Sequence, residues 1–164
     1  MATWMVVEDE PTIFELLMAM FEMWGIAGRA FIDGEEANAW LDDVDSGRYK
    51  GDLPELVLLD LRLPGEVQGW DVGARLRRSA KLKHVPIVVI TAHTFTQERR
   101  AEIEQMMAPD LWLNKPLPKF NQLQSLLEET IVKKRESLAP PAAVAPPADP
   151  VQQITKRRRR PSSS

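Results

Sequence analysis

The chain has 164 residues, of which 44% are hydrophobic and 27% are charged, with a formal net charge of -3 and no cysteine. This length suits one compact domain with an appendage, and the lack of cysteine excludes disulfides, thiolate metal sites and a cysteine nucleophile. No apolar run reaches the roughly 20 residues that span a bilayer, and no basic stretch precedes an apolar one at the N-terminus. We therefore expect a cytoplasmic protein without a transmembrane segment or a secretory signal.

The composition changes near Leu138. Residues 138–164 contain 6 of the 13 prolines, no aromatic residue and the basic run Lys156–Arg160. Proline and alanine repeats sustain neither a helix nor a central strand, so we predict a disordered tail here. The tail carries a charge of +4, which leaves -7 on residues 1–137. The predicted organisation is a folded acidic domain over 1–137 followed by a disordered Pro/Ala-rich and basic tail over 138–164.

Within residues 1–137, short apolar runs that predict strands alternate with segments of helical periodicity. In chain order these are strand Thr3–Val7, helix Pro11–Trp24, strand Ala27–Phe31, a helix from an N-cap at Asp33 through Asp43, strand Glu55–Asp60, helix Val67–Ser79, strand Val85–Ile90, helix Thr96–Met107, strand Asp110–Leu113 and helix Pro118–Glu136. Alternation of this kind predicts an α/β fold, a doubly wound five-stranded parallel sheet with helices on both faces.

The ends of the predicted strands carry residues suited to phosphoryl chemistry. Glu8 and Asp9 follow the first strand, Asp60 ends the third, Thr91 follows the fourth and Lys115 comes after the fifth. Ligands of such sheets bind outside the carboxyl ends of the strands, and three neighbouring carboxylates repel unless a cation such as Mg²⁺ lies among them. The pattern predicts Mg²⁺-assisted phosphoryl transfer to Asp60, with Thr91 and Lys115 binding the phosphoryl oxygens.

Four motifs in this order resemble the receiver domains of two-component response regulators. They are VVEDEP (Val6–Pro11), LLDLRLPG (Leu58–Gly65), VITAH (Val89–His93) and NKPLP (Asn114–Pro118). The resemblance covers roughly residues 1–136 and implies the flavodoxin/CheY-like fold, of the single-domain type.

The resemblance implies specific roles for the acidic residues. Asp60 corresponds to the phosphoacceptor of the family, which becomes an aspartyl phosphate. Mg²⁺ is then expected to be bound by Asp9, by Glu8 through water, by Asp60 and by the backbone carbonyl of Arg62.

The resemblance also implies roles for residues around the phosphoacceptor. Thr91 and Lys115 correspond to the catalytic residues that contact the phosphoryl group, and Trp112 takes the position of an aromatic residue that moves inward together with the threonine. Arg62 and His93 occupy positions that tune the lifetime of the phosphoryl group. Two structural alternatives remain open, in which Thr91 caps the following helix and Trp112 packs in the core.

Two segments depart from the family pattern. The loop Asp42–Glu55 is several residues longer than is common in the family. The segment Gly65–Gly69 (GEVQG) inserts a residue and places Gln68 where an aspartate is usual, beside the phosphorylation cleft.

The leading hypothesis is a stand-alone receiver that accepts a phosphoryl group on Asp60 from a histidine kinase or a histidine phosphotransfer protein. It would signal to a downstream protein through the fourth helix, the fifth strand and the fifth helix, with a homodimer left open. Its chemistry would be limited to self-phosphotransfer and slow hydrolysis of the aspartyl phosphate, without turnover of a metabolite. The 27 residues of the tail are too few and too Pro-rich for an output domain.

Three alternatives remain. The first is a receiver-like interaction module that works without phosphorylation. The second, a phosphatase with an aspartyl intermediate, is disfavoured because Arg62 replaces the second acid that such enzymes use to protonate the leaving group. The third gives the main function to the basic run Lys156–Arg160, as weak contact with nucleic acid or an anionic lipid surface; the run could also contact the acidic domain or only aid solubility.

Overall fold

A computed structural model describes residues 1–140, in which five strands alternate with five helices. The elements are β1 (Thr3–Val7), α1 (Pro11–Trp24), β2 (Ala27–Phe31), α2 (Gly34–Ser46), β3 (Leu56–Asp60), α3 (Gly69–Arg78), β4 (Ile87–Thr91), α4 (Gln97–Met107), β5 (Leu111–Asn114) and α5 (Phe120–Leu138). The predicted tail over 138–164 lies outside the described residues, apart from residues 138–140.

All five strands are parallel and lie in the order β2-β1-β3-β4-β5. This is the order of flavodoxin-like doubly wound sheets, in which the chain reverses its direction of growth between β1 and β3. Val7 pairs with Leu59, and Asp60 pairs with Ile90, so the carboxyl ends of the three central strands lie side by side. The predicted fold class is confirmed, and the register places the candidate site at the switch point of the sheet.

Each face of the sheet is covered by its own hydrophobic core. One core packs alternate side chains of the sheet against α2, α3 and α4. The other packs the remaining strand side chains against α1 and α5, and it contains an aromatic cluster in which Trp4 meets Phe21 edge-on at 5.4 Å between ring centroids. Because both faces are buried, β3 and β4 have no exposed residue, which explains their uninterrupted apolar sequence.

Capping residues define where two of the helices begin. The Asp33 carboxylate accepts a hydrogen bond from the Glu36 amide at 2.8 Å, as predicted for the start of α2. At α4 the cap is Thr96, whose hydroxyl oxygen accepts from the Arg99 amide at 3.1 Å. The alternative in which Thr91 caps this helix is therefore wrong, because the N-cap of α4 lies five residues further along the chain.

The loop between β3 and α3 is closed by the side chain of Gln68. Its carboxamide oxygen accepts from the Leu63 amide at 3.0 Å, and its nitrogen donates to the carbonyls of Leu63 and Gly65 at 2.9 and 3.1 Å. The Gln68 amide donates to the Asp71 carboxylate at 2.9 Å. Because Gln68 is the N-cap, α3 begins at Gly69 and not at Val67 as predicted from the sequence.

The long loop between α2 and β3 is tied to the neighbouring strand. The Tyr49 hydroxyl donates to the Asp52 carbonyl and accepts from the Arg29 guanidinium, both at 3.0 Å. The same guanidinium lies 5.0 Å from the Tyr49 ring centroid and 5.5 Å from that of Trp40. The loop thus packs on β2, an edge strand of the sheet, and on α2.

Among residues 1–140, none of the helices is both long enough and apolar enough to cross a membrane.

Candidate functional site

Three carboxylates converge at the carboxyl ends of β1 and β3. Glu8, Asp9 and Asp60 each offer an oxygen atom, and these atoms all lie within 4.8 Å of one another. Glu8 and Asp60 are buried, whereas Asp9 is exposed. The acids meet because β1 and β3 are adjacent and parallel, so the residues that follow Val7 and Leu59 emerge at the same edge of the sheet.

Lys115 joins the acidic group from the far side of β4. Its ammonium nitrogen lies 3.0 Å from Glu8 Oε2 and 3.1 Å from Asp60 Oδ2. The backbone amide of Lys115 donates to the Thr91 carbonyl at 2.9 Å, which fixes the start of the side chain next to β4. Lys115 is therefore the cation that partly neutralises the site, as the strand-end pattern predicts.

Burial and mutual repulsion govern the ionisation of this group. Burial, followed by the negative charge of Asp60, raises the pKa of Glu8 to about 7. Burial by itself would lower the pKa of Lys115, but its hydrogen bond to Glu8 and the charge of Asp60 outweigh that effect, so the pKa is raised. Lys115 therefore stays charged at neutral pH, while the Glu8 carboxyl is about half protonated near pH 7.

An open cleft of about 400 Å³ leads from solvent to Asp60. It is lined by Asp9, Glu10, Pro11, Asp60, Arg62, Ala92, His93 and Lys115. The Arg62 amide donates to Asp60 Oδ1 at 3.2 Å, which orients the carboxylate. Thr91 is buried at the end of β4, where its hydroxyl oxygen accepts from the His93 amide at 3.1 Å. The residues expected to tune lifetime, Arg62 and His93, thus both line the cleft.

Trp112 does not line the cleft and points toward α4. Its indole N–H donates to Glu104 at 2.7 Å, and the Arg100 guanidinium covers the ring at 4.3 Å from its centroid. The ring also packs against the core between the sheet and α2, α3 and α4. The structure therefore brings Trp112 to the α4 surface and not into contact with Asp60.

One cleft residue, Glu10, was missed by the sequence reasoning. Its carboxylate lies 3.4 Å from the Lys115 ammonium, on the solvent side of the buried contacts. Its backbone amide donates to Glu8 Oε1 at 3.1 Å. The signal was present as the third acid of the run Glu8–Glu10, but only the path of the chain shows that it faces the lysine.

The residues of this site fit a hard divalent cation. Its three carboxylates supply only oxygen donors, as Mg²⁺ prefers, and the cleft leaves room for water and a phosphoryl group. Glu8 Oε2 is buried and accepts no well-directed hydrogen bond, although the Lys115 ammonium lies 3.0 Å away. A water molecule bound to a cation in the cleft would supply the missing partner.

The matching family model is that of the response regulator receiver domain, and it covers residues 4–128. The chain is 35% identical over 127 residues to the probable methanogenesis regulatory protein FilR2 of Methanothrix harundinacea, covering 76% of this chain and 78% of that protein. It is 27% identical over 139 residues to the dual master transcriptional regulator RpaA of Synechocystis, a DNA-binding protein. This match covers 85% of the chain but only about half, 52%, of RpaA.

The structural comparison agrees in fold. The receiver domain of sensor histidine kinase PA1611 from Pseudomonas aeruginosa, whose crystal structure has a magnesium ion coordinated in its active-site cleft, aligns with a TM-score of 0.64. The identity is 24%, and the alignment covers 80% of this chain and 98% of that one. At this identity the likeness concerns the fold, while the family model and FilR2 carry the assignment. The chain belongs to the response regulator receiver domain family.

Proposed function

We propose that this chain is a cytoplasmic receiver that accepts a phosphoryl group on Asp60 from a histidine kinase or a histidine phosphotransfer protein. The supporting observation is the arrangement of Asp60 at the base of an open cleft, 3.1 Å from the Lys115 ammonium and beside two further acids. In this proposal phosphorylation requires Mg²⁺, and the phosphorylated protein signals by contact with another protein.

The metal would be held by Asp9, Asp60 and the Arg62 carbonyl, with Glu8 acting through water. Bound there, Mg²⁺ would supply positive charge to the oxygens of the phosphoryl group. The residues of the chain then have separate tasks. The Arg62 amide holds one oxygen of Asp60, which leaves Oδ2 beside Lys115 as the attacking atom.

The proposed transfer step exchanges one bond to phosphorus for another. Asp60 Oδ2 attacks the phosphorus of a phosphohistidine that is protonated on its other ring nitrogen, the P–N bond breaks, and its electron pair returns to the ring nitrogen, so that neutral imidazole leaves. As the carboxylate charge moves onto the phosphoryl oxygens, the Lys115 ammonium remains bonded to Glu8 and turns toward them. The Thr91 hydroxyl would donate to a second phosphoryl oxygen, giving up its contact with the His93 amide.

We assign the output of this switch to the surface formed by α4, β5 and α5. Thr91 ends β4 and pairs with Asn114 of β5, which lies two residues after Trp112. A movement of the Thr91 side chain would therefore shift β5 near Trp112. Trp112 would be the second member of the switch, while Arg62 and His93 at the cleft would set how quickly water hydrolyses the aspartyl phosphate. Hydrolysis and self-phosphotransfer are the only chemistry that the proposal includes.

Intact mass spectrometry after incubation with Mg²⁺ and acetyl phosphate tests the proposal. We expect the mass of one phosphoryl group to be gained, to be lost on treatment with hydroxylamine, and to be absent when EDTA replaces Mg²⁺. Asp60→Asn should abolish the gain, while Asp52→Asn, the same change at an exposed aspartate of the α2–β3 loop, should preserve it. No gain with acetyl phosphate, phosphoramidate or a phosphorylated kinase would favour an interaction module that works without phosphorylation.

A further inference from the structure

Beside the cleft, stacked arginines and aromatic rings form a continuous surface that we call the arginine–aromatic array. Its members come from the β3–α3 loop, α3, the β4–α4 loop, α4 and β5. They are Arg62, Trp70, Phe95, Arg99, Arg100 and Trp112. Because Arg62 also lines the cleft that leads to Asp60, the array begins at the candidate site and extends to α4.

The first half of the array is a stack around Trp70. The Arg62 guanidinium lies 5.5 Å from the ring centroid of Trp70 and 5.9 Å from that of Phe95. Arg99 lies 4.7 Å from the Trp70 centroid. Phe95 then meets Trp112 edge-on, with 6.3 Å between the ring centroids.

The second half is the fixed side chain of Trp112. Arg100 covers its ring at 4.3 Å, and Glu104 accepts its indole N–H at 2.7 Å. Cation–π pairs of energetic significance occur about once per 70–80 residues, whereas four of the six found in residues 1–140 belong to this one surface. The cation–π pairs of the described residues are thus concentrated on this surface.

Two guanidinium groups of the array are available for a partner. Arg99 is paired with Glu102 at 2.8 Å. Within residues 1–140, no carboxylate lies within 4.0 Å of the side-chain nitrogens of Arg62 or Arg100. Both side chains are exposed, and stacking on a ring reduces the rotamer entropy that each would lose on binding.

We propose that the arginine–aromatic array is the docking site for an acidic segment of a partner protein, whose carboxylates bind Arg62 and Arg100. A guanidinium offers a planar pair of donors that matches a carboxylate. Arginine and tryptophan are also the residues that most often dominate the energy of protein interfaces. On a domain with a formal charge of -7, Arg62 and Arg100 are two exposed guanidinium groups that an acidic segment can recognise.

The geometry favours a carboxylate partner over a nucleic acid. Guanidinium groups already cover Trp70 and Trp112, so the array presents N–H donors more than free rings on which bases could stack. The negative charge of the domain would also repel a long polyanion more strongly than a short segment with a few carboxylates.

The dependence of docking on phosphorylation rests on the proposed function. The Arg62 amide donates to Asp60 Oδ1, so a phosphoryl group on Asp60 changes the position of the residue that starts the array. We therefore expect the affinity for the acidic segment to differ between the phosphorylated and the unphosphorylated protein.

Selection of a randomised peptide library displayed on phage, with the full-length chain as bait, tests the docking site. We expect the selected peptides to carry Asp or Glu beside apolar residues. A fluorescein-labelled selected peptide should bind the Arg100→Gln variant about tenfold more weakly, because the change removes one anchoring charge. Arg100→Lys keeps the charge but not the planar donors and should recover only part of the loss.

Arg78→Gln is the matched control, since it removes an exposed arginine near the end of α3, away from the array, and should leave peptide affinity unchanged. Selected peptides without acidic enrichment, or equal binding to wild type and Arg100→Gln, would overturn the docking site. If a single-stranded oligonucleotide binds more tightly than the peptide and needs Arg100, the partner is a nucleic acid and not an acidic segment. If sedimentation shows a dimer that needs Arg100, the partner is a second copy of this chain. Labelling of Asp60 by acetyl phosphate is measured separately. If Asp60 is not labelled but the peptide still binds, only the proposed function is contradicted.

Discussion

Glu8 is a single buried carboxyl whose ionisation should be visible in the stability of the whole protein. Its pKa is raised from 4.5 to about 7 by burial and by Asp60, so the folded state binds this proton more tightly than the unfolded state. As the pH rises from about 4.5 to about 7, the contribution of Glu8 to the free energy of unfolding falls by on the order of 3 kcal/mol in total.

Urea denaturation in EDTA at pH 5.5 and pH 8 measures this effect. We expect wild type to lose stability relative to Glu8→Gln as pH rises, because the variant has no proton to release at this position. Parallel pH dependences for the two proteins would contradict the raised pKa. Since a metal ligand must be deprotonated, Mg²⁺ should also bind wild type more weakly as pH falls below about 7.

Gly69, the first residue of α3, packs directly on the backbone of Asp60. A Cβ at this position would overlap the Asp60 carbonyl oxygen and lie 2.6 Å from the Leu61 Cα. We expect Gly69→Ala to cost about 3 kcal/mol, since overpacking against backbone cannot relax through a side chain, and to slow labelling by acetyl phosphate. The free energy of unfolding in urea measures the loss.

Gly28→Ala, in β2, is the control for Gly69→Ala. The added Cβ would lie 2.9 Å from the sulfur of Met18, a flexible side chain that can move away. A loss at Gly28 equal to that at Gly69 would show that the cost comes from the loss of glycine itself and not from the contact with Asp60.

Some of the site could be predicted from single residues and some could not. Glu8, Asp60 and Lys115 could be placed together because each lies at the end of a strand or directly after it, and strand ends of a parallel sheet meet at one edge. The roles of Glu10 and Gln68 depend on how a loop turns and on which rotamer the side chain takes, and neither is visible in a linear pattern. Trp112 was found by its position, but its direction toward Glu104 was not.

At the level of elements, the β3–α3 loop is attached to α2 by one side chain. The Glu35 carboxylate accepts from the amides of Glu66 and Val67, both at 3.0 Å. These bonds, first that of Val67, lower the pKa of Glu35, so they persist in acidic solution until this carboxyl is protonated.

We expect Glu35→Ala to speed hydrogen exchange of the Glu66 and Val67 amides, since both lose their acceptor. Glu36→Ala changes the next residue of α2, which is also exposed, and should leave their exchange as in wild type. Unchanged exchange in Glu35→Ala, followed by NMR or mass spectrometry, would mean that α2 does not hold this loop.

The elements themselves were predicted within a few residues, for a physical reason. Strands buried on both faces are continuous apolar runs, and β1 and β2 match their predicted bounds. Helix ends were less certain because capping decides them, and a cap depends on tertiary neighbours. Thus α2 runs to Ser46, beyond the predicted Asp43, and α3 starts later than predicted.

For the whole molecule, the two cores and the candidate site all lie within residues 4–131. We therefore expect a chain that ends after residue 140 to unfold at the same urea concentration as the full chain and to be labelled on Asp60 as efficiently. The truncation removes the basic run Lys156–Arg160.

The same truncation tests the alternative in which the basic run binds nucleic acid. Weak binding of duplex DNA by the full chain should decrease steeply with salt and disappear on truncation, since contacts between cations and phosphates release counterions. Equal affinity and equal salt dependence for the two chains would leave the basic run without this role.

The Lys115–Glu8 contact joins residues that are 107 positions apart in the chain. A nascent polypeptide therefore has its acids long before it has their cation, and three carboxylates without Lys115 repel one another in the emerging domain. The site can form only after β5 has left the ribosome and paired with β4. A translation product that ends before β5 therefore lacks the cation of the site, and we expect its Asp60 not to be labelled by acetyl phosphate.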